Sequence, residues 1–486
     1  MVHLLVIALF VAVLTPGPEY VAPMYERLGP IGASAMVLGA LVAIWMPTWW
    51  MVAILGRRLA RRGDPRSIAR ADLAVAAARV ATVCVVAAGV LGAGWLDAVR
   101  AMLASLAGTT SGDLVALDEL IAITPGLLGL AFGWWVAYPI DRMVREAVML
   151  RDIDRGAGVP DILPRSRWVR QAVRHQLAVV VVPVATIVIW SELVELLLGG
   201  AESAGPGVDV GLMVPAVQLV GAAGVFVVMP VVMCRIWDTV PLDTGALRDM
   251  LMGLCERAGV RVRGIRVWRT NGTMINGAVI GLIGPLRYIL LTDALLDRLE
   301  SRELQAVMAH EVGHIRLRHM PWLLAAVLGT ILLLASATDA AYQATVESVE
   351  HAAWMELVLV AVVLGAGLVV FGFVSRRFEW QADAYAAASL SLDEDGRPCE
   401  RVMPQGADAM ICALQRVADL NHVPTRRFSW RHGSIAHRQR RLYELPGNPC
   451  RRLPIDRTVG WIKACSGVAL LLGVAAMVVS VVGQAS

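Results

Sequence analysis

The stretch "AVMAHEVGHIRLRH", residues 306–319, decides how the chain is read. His310 and His314 stand at i and i+4, a spacing that projects both rings from one face of a helix. Two imidazoles so placed can chelate one zinc ion. Glu311 is rotated away from such an ion but within reach of a water bound to it. Zinc lowers the pKa of that water to about 7, and a carboxylate can take its proton. The pentapeptide is HExxH, a motif whose mechanism is metal-assisted hydrolysis. Leu304, Val307 and Met308 fall on one apolar face of the same helix, and Gly313 keeps bulk away between the two histidines. His319 competes less well as a ligand, being five residues beyond His314 and off the shared face. Solvated helices also carry this pentapeptide by accident, so the rest of the chain must supply the other parts of a metal site.

Most of that chain is apolar. Of 486 residues, 57% are hydrophobic and 17% charged, against about a quarter charged in soluble proteins. The mean hydropathy of +0.62 agrees. The composition predicts a polytopic, predominantly α-helical membrane protein in a lipid bilayer. A formal net charge of +4 over this length gives no sign of a nucleic-acid surface. All the basic residues but Lys463 are arginine, as a GC-rich genome would produce. The seven cysteines form no CxxC pair and no regular spacing, and read as small core residues rather than a disulfide framework.

A membrane-spanning helix needs roughly 20 apolar residues. Runs of that kind cover 31–56, 73–96, 119–140, 177–198, 211–234, 321–338, 354–374 and 460–483, with a shorter run at 4–14. That short run begins "MVH" and ends "TPGPEY", unlike a signal peptide, so it reads as a further span and the total is eight or nine. Arginines set the orientation. Segment 57–72 holds six and segment 141–176 holds eight, whereas 97–118 holds one and 199–210 and 339–353 hold none. The alternation predicts 57–72, 141–176, 235–320 and 375–459 in the cytosol. The sequon Asn271-Gly272-Thr273 is discounted on that ground. Trp49, Trp50, Trp134 and Trp135 fit interfacial belts. Glu192 and Glu195 lie near the outer end of their span.

Three regions follow: a membrane domain over 1–234, a soluble domain over 235–459 interrupted by the hairpin 321–338 and 354–374, and a last span over 460–483. Within the soluble part, 243–258 has helical periodicity. "GIRVWR" (264–269), "GAVIGL" (277–282) and "RYILLTD" (287–293) read as short strands. A helix is expected over 301–319, interrupted by Pro321, with others over 376–390 and 407–420. A small sheet beside helices, an α+β domain, is the expectation.

A catalytic zinc takes a third protein ligand and an open fourth position. Antiparallel spans bring their ends together, so the residues after 374 should lie near His310 and His314. There the sequence reads "SRRFEWQADAYA". Glu379 and Asp383, again i and i+4, fit as third ligand and as a carboxylate orienting a histidine. Pairing of Glu379 with Arg376 or Arg377 is the competing reading.

"HEVGH", two spans and "EWQAD" together resemble the integral-membrane zinc metallopeptidases that include the bacterial heat-shock protease HtpX and the eukaryotic CAAX prenyl protease. The likeness covers about 235–445. It implies a gluzincin-like catalytic domain holding one Zn2+ on His310, His314 and Glu379, with Glu311 as general base. It also implies a channel residue at Asn276, in "MINGAVIG", where Gly277 replaces the usual alanine. In "WRHGSIAHRQRRL" it implies His432 as a donor to the oxyanion and Arg438 as a brace, with Gly433 in place of proline. The arginines of that stretch would equally suit a basic face on anionic lipid. Peptide or membrane-protein substrates, a multi-pass place in the bacterial inner membrane with the catalytic domain in the cytoplasm, and quality control or processing follow by analogy.

Two other functions compete. Intramembrane proteases of the site-two type bury HExxH in a span, but here Arg302, Glu303, Arg316 and Arg318 flank it. A non-catalytic scaffold would be marked by loss of Glu311 or Glu379, and both are present. The first 234 residues match no family motif, and nothing in the sequence speaks to oligomeric state or to a particular substrate.

Overall fold

The computed structural model describes residues 2–15, 21–108, 115–154, 162–198, 210–272, 274–345, 352–421 and 423–485. Most of the expected loop 199–210, part of 339–353, the "PGPEY" segment and Thr273 of the sequon lie outside these residues. The chain forms two compact units, Met1–Trp237 and Asp238–Ser486.

The first unit is helical. Its elements are α1 (Val2–Leu14), α2 (Val21–Arg62), α3 (Arg66–Ala93), α4 (Trp95–Ala107), α5 (Leu117–Asp154), α6 (Arg165–Ala172), α7 (Ala178–Leu198) and α8 (Val210–Ile236). One π-turn, Val173–Leu177, joins α6 to α7. The run 4–14 does form a helix, with Val6, Leu9 and Phe10 buried. At 1.5 Å per residue its 13 residues reach roughly 20 Å, short of a bilayer core of about 30 Å. Inside the unit, buried Trp45 donates to Thr82 Oγ1 at 2.9 Å. Arg100 pairs with Asp118 and Glu119 at 2.6 and 3.1 Å. The belt expectation fails for Trp134, which is buried with the Arg79 guanidinium 4.7 Å from its ring centre. Trp49, Trp50 and Trp135 are exposed as expected. Reading the cysteines as core residues holds only for Cys234 and Cys255; Cys84, Cys412 and Cys465 sit on outward helix faces.

The second unit holds β1 (Thr239–Pro241), α9 (Ala246–Arg257), β2 (Gly264–Trp268), β3 (Gly277–Ile280), β4 (Tyr288–Thr292), α10 (Asp293–Arg298), α11 (Ser301–Arg316), α12 (His319–Thr345), α13 (Ala352–Ser389), α14 (Pro404–Leu420), α15 (Ile435–Tyr443) and α16 (Pro454–Ala485). The sheet runs β1-β2-β4-β3, parallel only between β2 and β4. β4 is buried along its whole length, whereas β3 is an edge strand paired with β4 alone. Leu304, Met308 and Val312 of α11 pack with the sheet, while Ala306 and Ala309 pack with α13 and α14. Among the described residues, eight helical stretches are long and apolar enough to cross a membrane: those of α2, α3, α5, α6 with α7, α8, α12, α13 and α16.

Two helix limits differ from expectation. The helix expected over 301–319 ends at Arg316, and α12 starts at His319. The break is at Arg318, whose φ of 54° is left-handed. Pro321 does not interrupt anything, because it occupies the first turn of α12, where a missing N–H costs no helical bond. The hairpin's second span and the helix expected over 376–390 are one continuous helix, α13.

Helices α12 and α16 approach closely at Gly329. A Cβ placed there would come 2.6 Å from the Leu470 backbone nitrogen. Gly329→Leu is expected to destabilise the protein by about 1–3 kcal/mol, the cost of overpacking. Gly365→Leu, with nothing within 4 Å of an added Cβ, serves as the control. Thermal unfolding in detergent reads the difference, and equal melting of the two variants would rule out a tight α12–α16 contact.

Candidate metal centre

Helix α11 is started by a capping box between Glu300 and Glu303, and its buried apolar face fixes its rotation against the sheet. His310 and His314 then face α13. A Cβ on Gly313 would lie 2.9 Å from the Tyr385 ring, so glycine is what lets α13 come this close. Helix α13 brings Glu379 and Asp383 to the same point.

The two histidine Nε2 atoms are 3.1 Å apart. Glu379 Oε2 is 3.6 Å from His310 Nε2, and Oε1 is 3.6 Å from His314 Nε2. One ligand atom from each of these three residues lies within 4.8 Å of the other two. His310 Nδ1 is 2.9 Å from Asp383 Oδ1, although the contact is not aligned as a hydrogen bond. Arg438, on α15, donates to both Asp383 oxygens at 2.7 and 2.6 Å, and its Nη1 is 3.2 Å from Glu379 Oε2. Glu379, Asp383 and Arg438 are all buried. Glu379 is thus turned into the cluster, while Arg376 donates to the Trp430 carbonyl and Arg377 lies over the Phe373 ring.

His432 Nδ1 is 3.1 Å from Glu379 Oε1, and the side chain is about half exposed. Its loop is pinned by the Arg376 bond at 2.7 Å and by stacking of Trp430 on Phe371. Within the loop, Ser429 and Gly433 exchange backbone hydrogen bonds. Gly433 has φ of +75° and donates its N–H to Ser429. Proline could supply neither, which accounts for glycine at this position.

Asn276 is exposed just before β3, and its backbone bonds Thr292. The next residue, Gly277, faces Glu311: a Cβ there would sit 3.5 Å from Glu311 Cγ and 3.6 Å from Oε1. The structure therefore gathers His310, Glu311, His314, Glu379, Asp383, His432 and Arg438. Asn276 stands beside this cluster, and no hydrogen bond joins it to the cluster among the described residues.

Sequence reasoning missed Gln381 and Asn421, and it weighed His319 only as a ligand. His319 Nδ1 is 2.9 Å from His314 Nδ1, and His319 Nε2 is 2.9 Å from Gln381 Oε1. Asn421, at the end of α14, bonds both backbone groups of Ile275 and so fixes the approach to β3. A five-residue offset excludes His319 only if the helix is unbroken, and the left-handed Arg318 resets the phase.

Electrostatics follow from burial and charge balance. Burial disfavours charge on His310, but the Asp383 and Glu379 carboxylates outweigh it and lift its pKa to about 10. Burial, with His310 alongside, lowers His314 to about 4. Burial raises Glu311 above the usual carboxylate range. Burial opposes the charge of Arg438 too, but Asp383 and Glu379 hold it protonated.

His310, His314 and Glu379 form a donor set that could hold a metal ion, and the comparisons with known proteins are as follows. Residues 241–403 match Peptidase family M48. That match covers about a third of the chain and takes in His310, Glu311, His314, Glu379 and Asp383. Among solved structures, a crystal structure of S. mikatae Ste24p is similar, with a TM-score of 0.44 and 14% identity over 84% of this chain and 98% of that one. No curated protein matches the sequence.

Among the described residues Arg438 is the one guanidinium on this carboxylate pair, so its loss strands buried charge. Arg438→Met is expected to cost about 3–5 kcal/mol of stability. Arg438→Lys should recover only part, because an ammonium cannot bridge two oxygens in a fork. Denaturant titration in detergent measures both, and a Met variant as stable as wild type would show that the carboxylates need no counterion.

Proposed function

We propose that this protein is a zinc-dependent endopeptidase working at the cytosolic face of a bacterial inner membrane, with one zinc per chain. The carrying observation is that His310, His314 and Glu379 converge within 4.8 Å at the foot of a membrane hairpin. The donor set suits the metal: two imidazoles and one carboxylate are a common catalytic zinc set. Charge suits it as well. Glu311, Glu379 and Asp383 face one Arg438, and a dication would balance the remainder.

His310, His314 and Glu379 would hold the ion. When bound, zinc lowers the pKa of a water to about 7 and polarises the scissile carbonyl. Glu311 accepts the proton of the attacking water and returns it to the leaving amine nitrogen as the C–N bond breaks. The rest of the machinery holds these groups in place. Asp383 sets His310, Arg438 locks Asp383 and Glu379, and His432 donates a hydrogen bond to the developing oxyanion. A substrate strand adds to the free edge of β3, with Asn276 at its entry and Gly277 leaving room beside Glu311. The arginine distribution supports a cytosolic site. Substrates would be peptides or membrane proteins, in quality control or processing.

Cleavage of casein by detergent-purified protein, with zinc content measured in parallel, tests this. Glu311→Gln should retain its zinc and lose roughly 10²–10⁴-fold in activity. A wild type that binds no zinc would end the proposal. So would a Gln variant that cuts as fast as wild type.

Zinc uptake should also depend on pH. His310 carries a proton below about 10 in the metal-free protein, and that proton must leave before the ring can coordinate. Affinity should therefore fall about tenfold for each unit of pH between 9 and 7. Chelator competition measures the slope, and a flat profile would contradict a proton held on His310 across this range.

A further inference from the structure

The hydrogen bonds of the cluster extend past its ligands. From His314 they run to His319, and from His319 Nε2 to Gln381 Oε1 at 2.9 Å. Gln381 Nε2 donates to Asp456 Oδ1 at 2.6 Å. Asp456 lies in the first turn of α16, and its other oxygen accepts the Leu453 N–H at 2.8 Å. His319 and Gln381 are fully buried, at 2% and 4% exposure. The His319 ring stacks on Phe378 with 4.4 Å between centres, which holds the plane of the imidazole. Lys463 of α16 donates to the Leu317 carbonyl at 2.7 Å, tying the same helix to the break before His319.

The donor order along this path is forced from its far end. A carboxylate only accepts, so Asp456 takes the amide N–H of Gln381. The amide oxygen of Gln381 is then left facing His319 and needs a donor, which places a proton on His319 Nε2. A neutral imidazole has one N–H, so His319 Nδ1 carries a lone pair. That lone pair accepts a proton held on His314 Nδ1, and His314 Nε2 is left with its lone pair aimed at His310 and Glu379.

We infer that Asp456, Gln381 and His319 are positioning residues that lock His314 in the tautomer able to ligate a metal through Nε2. The inference rests on the zinc reading above. It gives the last span a part in the site: α16 supplies the carboxylate that sets the polarity of the path. For His310 the nearest such carboxylate is Asp383, with Oδ1 2.9 Å from its Nδ1. Each candidate histidine ligand thus has its own carboxylate, one direct and one at the end of a three-residue path.

The test is zinc affinity, read by chelator competition on the full-length protein in detergent at fixed pH. Gln381→Met keeps the volume and removes both polar atoms, and is expected to weaken zinc binding 10–100-fold. Gln381→Glu can donate a carboxyl proton to Asp456 and accept from His319, so it should restore most of that loss. A role in packing alone would not produce this rescue. Asp456→Ala, at a half-buried position, should weaken zinc binding in the same direction as Gln381→Met, and carries the test if the Met variant does not fold. The inference is overturned if either Gln381→Met or Asp456→Ala binds zinc as tightly as wild type, or if Gln381→Glu is as weak as Gln381→Met. Wild-type protein that takes up no zinc would instead remove the metal reading itself, and the inference with it.

Discussion

The Arg438 guanidinium is what allows two carboxylates and two imidazoles to share one buried pocket. Glu379 and Asp383 are both on α13 and both shielded from water. Leaving either unpaired would cost several kcal/mol. Arg438 spreads its donors over both, taking Asp383 with two and Glu379 with one. The asymmetry matters. Asp383 is held at both oxygens by the fork and becomes a fixed neighbour of His310, whereas Glu379 keeps oxygens turned toward His310 and His314. One cation thereby separates two chemically identical groups into an anchor and a candidate ligand. The raised pKa of His310 is the other face of the same balance: the pocket holds more negative charge than Arg438 neutralises.

The second constraint is the single left-handed residue Arg318. Had α11 run on into α12, His319 would sit off the His314 face and Pro321 would fall in a helix interior. Ending α11 at Arg316 turns His319 back onto His314 and places Pro321 in a first turn. A left-handed conformation costs roughly 1–2 kcal/mol for a residue with a Cβ. The cost is offset locally, because the Arg318 N–H still finds the Ile315 carbonyl and Lys463 takes the Leu317 carbonyl.

The parts of this architecture that follow local rules were legible in the sequence. Apolar runs marked the long helices, because a bilayer imposes length and composition on a span. The strands at 264–268, 277–280 and 288–292 were visible as short β-branched and aliphatic runs bounded by glycine. The meeting of α11 with Glu379 and Asp383 was readable as well, since the two ends of a membrane hairpin return to the same side. What was not legible depends on one backbone angle or on a contact across long separation. β1 has three residues and no pattern of its own; it exists through its pairing with β2. Trp134 has the composition of a belt residue and is buried by the packing of its neighbours. Gln381 resembles any polar residue at the end of a span until His319 and Asp456 are found on either side of it.

The same hairpin explains why a chain that is mostly membrane carries a site of this chemistry. Helix α13 runs without a break from its apolar segment through Glu379 and Asp383, roughly 57 Å at the rise of an α-helix. No hinge separates the part that packs in lipid from the part that presents carboxylates. α12 and α16, which pack on each other and on α13, begin at His319 and just before Asp456. Three helices long and apolar enough to cross a membrane therefore each carry a polar residue into the cluster or onto the hydrogen-bond path that leaves it, and α11 delivers His310 and His314. The membrane-length helices set the direction of α13, and the buried apolar cores around α11 hold its carboxylates against the two histidines.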